Sequence, residues 1–289
     1  MNTSATKSLS SIYDLHIPAN PEILSRVRSM VVDTKLRVDS ISDIAALDLA
    51  LVMGFFKVAS STHFSAGKPP VSNMKMAIER LGAESCIEVL DEISTYESPK
   101  DPSILAWLNT YRDRCRRIAE ICRILAEFLA TTLADDVQCS GIFVFVGDIL
   151  AVMHFGLDYV KLAKDMPRSK VVYRLEKDHK FEMRKISINY LKKHGIPELV
   201  LSPLDPESQN KIASRGVLKV LVSAAEEFIS GFDAEKWDKF APGATIPPNS
   251  SIRLLKLTEQ QYTNLYEKMG SYLAGEKVKA ERLGLILIK

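Results

Sequence analysis

The chain has 289 residues, 46% of them apolar and 26% charged, enough to bury one large core or two modest ones, and this excludes a disordered or low-complexity class. Lys and Arg number 38 against 36 Asp and Glu, a formal charge of +2, so neither a global basic field for nucleic acid nor an acidic solvating tail is present. Four cysteines, at 86, 115, 122 and 139, show no C-x-x-C and no Cys/His spacing suited to zinc; they read as reduced, core-filling thiols of a cytoplasmic protein.

Residues 1–12 carry no charged-then-apolar signal pattern and are expected to be a flexible lead. A first helix is predicted over 22–31, EILSRVRSMV, with Ile23, Leu24, Val27 and Met30 on one face and Pro18 and Pro21 as start signals. The stretch 40–61, SISDIAALDLALVMGFFKVASS, opens on Ser40 or Ser42 as a cap and is then apolar on most sides, the pattern of a helix buried in the middle of a domain. Pro69 and Pro70 make a loop, Ser72 is placed to cap the next helix, and Gly82 breaks it. Residues 96–103, YESPKDPS, are the clearest linker, dividing a lobe at 13–95 from a lobe at 103–235.

The second lobe opens on a long amphipathic helix whose basic run YRDRCRRIAEICR (111–123) reads as a solvated helix face. The run 141–157 is nearly all apolar but carries Asp148 and His154. It falls short of the roughly 20 apolar residues a membrane span needs, so it is expected to be a buried core helix. Helices follow at about 180–194, closed by Gly195 and Pro197, and at 207–231. The segment KVVYRLE (170–176) is the best strand candidate, and a weak one. A proline-containing loop, 240–251, is expected to be mobile, and two further helices over 258–273 and 276–283 complete an extension, 236–289, that should cover the junction of the lobes. The periodicity implies an all-α protein of two packed helical lobes.

The segments DLALVMGFFKVASS (48–61) and PPVSNMKMAIERLG (69–82) have the order and spacing of the opening of an HDOD domain, the HD-related output domain of bacterial signalling proteins. Val71, Ser72, Ala77, Ile78, Leu81 and Gly82 match that pattern; Leu49 stands where proline is usual and Ser60 where asparagine is usual. The second half is similar to the HD-phosphohydrolase-like part of the same domain. Metal-dependent HD enzymes hold their metal with a His, a His-Asp pair and a later Asp. By this resemblance Arg114 occupies the place of the first His, Gly147 replaces the next, Asp148 alone remains of the pair, and Met183 falls where a further His is usual.

These substitutions imply a degenerate site, with no cofactor, no metal ligand set and no catalytic residue. Arg114, Asp148 and Met183 are its candidate positions. A hydroxide-generating metal needs neutral imidazoles and carboxylates converging on one ion. The histidines, at 16, 63, 154, 179 and 194, supply no such set: His154 lies six residues beyond Asp148 and is rotated away from it. No G-x-S-x-G and no G-x-x-x-x-G-K-[ST] offers another chemistry. Arg215 and Lys219, near the start of a helix, could meet an anion or simply face solvent.

A carboxylate in an apolar helix must be paired, and Arg114 is the expected partner of Asp148. The expected function is regulatory and non-catalytic: contact with a signalling protein or a small signalling ligand, without nucleic acid or membrane. The rival classes are a metal-dependent phosphohydrolase with a degenerate site and a nucleotide second-messenger sensor.

Overall fold

Local capping chemistry decides where the first lobe turns. In the computed structural model, which describes residues 8–33, 37–129, 131–208, 213–283 and 285, every regular element is helical. Helix α1 (Pro21–Val32) begins on Asn20, whose Oδ1 accepts from the backbone N–H groups of Glu22 and Ile23. The expected single helix at 40–61 is two, α2 (Val38–Ala45) and α3 (Leu49–Ala59). Asp48 ends the turn between them: its Oδ1 caps Ala50 and Leu51 at 2.9 and 3.1 Å, and its Oδ2 accepts from Asn20 N–H at 2.8 Å. An acidic residue just before an apolar run is itself a start signal, and here it outweighs the serines upstream.

After the short helix α4 (Thr62–Ser65), α5 (Met74–Ser94) bends at Gly82, whose φ of +72° suits a residue without Cβ. Its cap is Asn73, not Ser72; the Ser72 hydroxyl instead donates to Asp136 of the second lobe at 2.9 Å.

Helix α6 (Pro102–Leu129) is the axis of the second lobe. Against it pack α7 (Ala134–Gly141), α8 (Val146–Phe155) and α9 (Leu157–Asp165), with α10 (Arg168–His179), α11 (Met183–Lys193), α12 (Glu198–Leu201) and α13 (Ala213–Asp233) completing the lobe. The strand candidate at 170–176 lies inside α10: Val171 and Leu175, four apart, are its buried positions, which is helical and not alternating spacing. The apolar run is also divided, by a turn over residues 142–145. Residues 134–155 are long and apolar enough to cross a membrane by composition, but 89% of that window is buried inside the protein.

Helix α14 (Glu259–Arg282) is continuous through the expected break near 275, opened by a reciprocal capping box between Thr258 and Gln261. Its main packing is against α6 of the second lobe, so it braces that lobe where the sequence suggested a cover for the junction. The loop at 240–251 is tied down: Glu227 accepts from the Ser250 hydroxyl at 2.5 Å and from Ser251 N–H at 2.6 Å, and Tyr262 donates to the Phe240 carbonyl at 2.7 Å.

The arginines of α6 are the largest departure from expectation. Arg112, Arg114, Arg116 and Arg117 are 11%, 6%, 13% and 12% exposed, so this is no solvated face. Helices α13 and α14 cover Arg114, Arg116 and Arg117, with Asp233 meeting Arg117 at 3.0 Å and Glu276 pairing with Arg116, while Arg112 turns to the Pro18 carbonyl and Asp48 of the first lobe. A basic helix face is solvated only if no later segment brings acids to it.

The lobes share one contiguous core, from Ile12 to Leu273. Packed structure starts before residue 13, because Ile12 is fully buried in a 3-10 turn (Leu9–Asp14); residues 1–7 lie outside the described residues. That turn and the segment after it meet α11. Tyr190 donates to the Leu15 carbonyl at 2.8 Å, Lys193 pairs with Asp14 at 2.7 Å, and His194 Nε2 lies 3.3 Å from the Tyr13 carbonyl.

Burial depresses the His194 imidazole below its ordinary 6.5, opposed by the Tyr13 hydrogen bond and helped by the nearby charges of His16, Lys57 and Lys193. The unfolded chain therefore binds this proton more tightly than the folded one. Its contribution is fully present above pH 6.5 and is lost as pH falls below it. Urea midpoints should drop between pH 7.5 and pH 5.5 in wild type and drop less in His194→Gln; equal drops would assign the acid sensitivity elsewhere.

Candidate functional site

The resemblance placed Arg114, Gly147, Asp148 and Met183 at one former centre. Gly147 and Met183 are in contact: a Cβ on Gly147 would sit 2.7 Å from Met183 Sδ and 2.5 Å from Ser187 Oγ. The space a side chain would need at 147 is thus filled from α11. Asp148, one residue on, is wholly buried.

Its partner is not Arg114. Arg168, at the start of α10, grips Asp148 with both edges of a fork: Nε donates to Oδ1 and Nη2 to Oδ2, each at 2.8 Å. Burial pulls the Arg168 guanidinium down, but the Asp148 carboxylate outweighs it and holds the group above its ordinary value. Arg114 instead faces Asp233, Nη1 to Oδ2 at 3.3 Å, with Nη2 3.5 Å from the Ser230 hydroxyl. Burial lowers its pKa; Asp233 opposes that, and the neighbouring Arg168 adds to it. The two arginines do share one neighbour. Each guanidinium carbon lies 4.7 Å from the centroid of Phe145, so the ring stands between two cations.

The structure brings Gly147 and Met183 together as the resemblance implied, but gives Asp148 and Arg114 partners that sequence reasoning missed. Arg168 lies 20 residues from Asp148, in what reads as a polar interval. No local pattern joins them; only the fold of α9 and α10 back over α8 does. Beside the pair, Tyr111 and Tyr159 place their hydroxyl oxygens 2.5 Å apart in the interior. Burial, and to a lesser degree the Asp148 charge, raise both phenols above their ordinary 10.

A metal does not fit here. Among the described residues no three His, Cys, Asp or Glu side chains converge to hold an ion, and both oxygens of Asp148 are committed to a guanidinium. His63 and His179 are exposed, on α4 and α10, while His16 and His194 meet edge to face at 6.3 Å in the seam between lobes. The cysteines are all free and buried; burial pushes Cys86 up to about 12 and the other three higher, so none is poised as a nucleophile. Lys219 is exposed on α13, and the side chain of Arg215 lies outside the described residues.

What the arrangement offers is space. A cleft of about 560 Å³, within the range of small-molecule sites, lies between α10, α11, α13 and the loop at 203–207. Arg168, Met183 and Ser187 line it, so it opens directly beside the Arg168–Asp148 pair.

Fold and centre define an all-helical protein of two packed lobes, with an ion pair and close side-chain packing at the candidate centre. The HDOD domain profile matches residues 17–205, about two thirds of the chain, and the protein belongs to that family. Among solved structures it is similar to the MmoQ response regulator of Methylococcus capsulatus, at 12% identity and a TM-score of 0.65, covering 86% of this chain and 97% of that one. A virulence factor of Campylobacter jejuni is similar at 10% identity and a TM-score of 0.61, covering 90% and 95%. At such identities the likeness is one of fold. No curated protein sequence matches the chain significantly.

Proposed function

We propose that this protein is a non-catalytic regulator of the HDOD type, cytoplasmic, working in signal transduction by binding a partner protein or a small signalling ligand. Family membership supports the signalling role, as does the fold shared with a protein described as a response regulator. One observation carries the non-catalytic reading. The carboxylate left from the HD pattern is locked by Arg168, and the space beside Gly147 is filled by Met183 and Ser187, while a ligand-sized cleft stays open beside both. A buried fork of this kind is rigid and leaves no open coordination position. The cleft then serves for recognition, and the shared core of the two lobes gives a bound ligand a path to the rest of the molecule.

Elemental analysis and turnover assays test this. Purified protein supplied with Mn²⁺ should retain less than one equivalent of metal after gel filtration and hydrolyse neither bis-(p-nitrophenyl) phosphate nor cyclic dinucleotides. Stoichiometric metal, or turnover that Asp148→Ala removes, would make it an active phosphohydrolase instead.

A further inference from the structure

The charges lining the cleft are unevenly matched. Of its cations, Arg168 is held by Asp148, Lys192 by Asp205 at 3.1 Å and Lys185 by Glu182 at 3.5 Å. Only Arg184 has no carboxylate partner among the described residues, and it is exposed. Three lining carboxylates, Glu176, Glu207 and Glu226, have no basic partner in ion-pair contact among the described residues. Glu176 and Glu207 are exposed at the rim. Glu226 is half-buried on α13, and Arg168, the cation whose charge it feels, already has both Nε and Nη2 committed to Asp148.

An anion entering this cleft meets a neutralised arginine and an uncompensated Glu226. A cation meets a carboxylate that gains a partner, between apolar walls that include Val172, Ile188, Leu204 and Val222. We propose that the cleft is a binding site for a small organic cation, a protonated amine or guanidinium carried on an apolar body, with Glu226 as its counter-ion. This rests on the reading of the cleft as a recognition site and adds the sign of its ligand. It also sets the site against phosphodiesters, which carry the opposite charge.

The test is a pair of probes with one body and opposite charge, 4-phenylbutylamine and 4-phenylbutyrate, followed by saturation-transfer NMR on the full chain at pH 7.5. The amine should give transfer and the carboxylate none. Glu226→Gln should weaken the amine about tenfold, the effect of losing one partly buried ion pair. Val222→Trp, which fills the cleft, should abolish transfer, and the thermal transition of each variant checks that it is folded. Binding of the carboxylate at equal or greater strength, amine binding unchanged in Glu226→Gln, or no binding of either probe would each overturn the assignment. None of these outcomes bears on the metal content and turnover that decide whether the protein is catalytic, so the two readings fail separately.

Discussion

Arg168→Met is expected to destabilise the protein by about 3–5 kcal/mol, the cost of stranding a buried charge. The carboxylate it leaves is wholly buried and would lose both strong hydrogen bonds at once. Asp148→Leu should cost less, about 1–3 kcal/mol, because Arg168 is 28% exposed along the cleft and its freed guanidinium can turn toward water. The double variant should be more stable than Arg168→Met alone, since an apolar pair of similar volume is tolerated where half an ion pair is not. Denaturant unfolding of the cycle should give a coupling energy of about 2 kcal/mol. Coupling near zero would show that the fork contributes nothing specific. Asp148→Asn, which keeps the shape and half the acceptor capacity, should fall between wild type and Leu.

The second large effect is expected at Asp233. This residue is 10% exposed and faces Arg114 and Arg117 together, joining α13 to the central helix. Asp233→Leu leaves Arg114 without a carboxylate, while Arg117 keeps Asp113 at 2.9 Å. The Nε and Nη1 atoms of Arg114 already lack hydrogen-bond acceptors, so it has no reserve partner. A loss of about 3–5 kcal/mol follows from an uncompensated buried guanidinium, and adding Arg114→Met should restore part of it. In the companion cycle, Arg114→Met should couple to Asp148→Leu more weakly than to Asp233→Leu, because only a through-space attraction joins Arg114 to Asp148. A larger coupling of Arg114 to Asp148 than to Asp233 would restore the pairing that the sequence suggested and refute the one seen here.

Both predictions turn on residues whose importance the sequence states only in part. The apolar setting of Asp148 says that the carboxylate is buried and must be paired, because a bare charge there is too costly to keep. It does not say by what. Two arginines lie within reach of the Phe145 ring, and chain spacing favours neither. Arg168 wins because the start of α10 brings its Nε and Nη2 within 2.8 Å of the two carboxylate oxygens, whereas Arg114 faces Asp233 of α13. In the same way 111–123 shows four arginines within seven residues, and only the arrival of Asp233 and Glu276 from more than a hundred residues away converts them from a surface into an interior network.

Helical periodicity by itself determined the all-α class, and Gly82 the break in its helix, because these depend on neighbours three to four residues apart or on the backbone freedom of a single residue. Spacing motifs also brought Gly147, Asp148 and Met183 to one centre, since the order of helices along the chain is part of the family pattern. Helix ends were less legible: Asp48 and Asn73 each competed with a nearby serine, and the choice rests on which oxygen the folded backbone can reach. The counter-ions of buried charges, the filling of the space beside Gly147 and the cleft next to it were decided by tertiary structure alone. Each is set by side chains distant in sequence, and the electrostatic energy of a buried group depends on geometry at the scale of one hydrogen bond, which no one-dimensional pattern encodes.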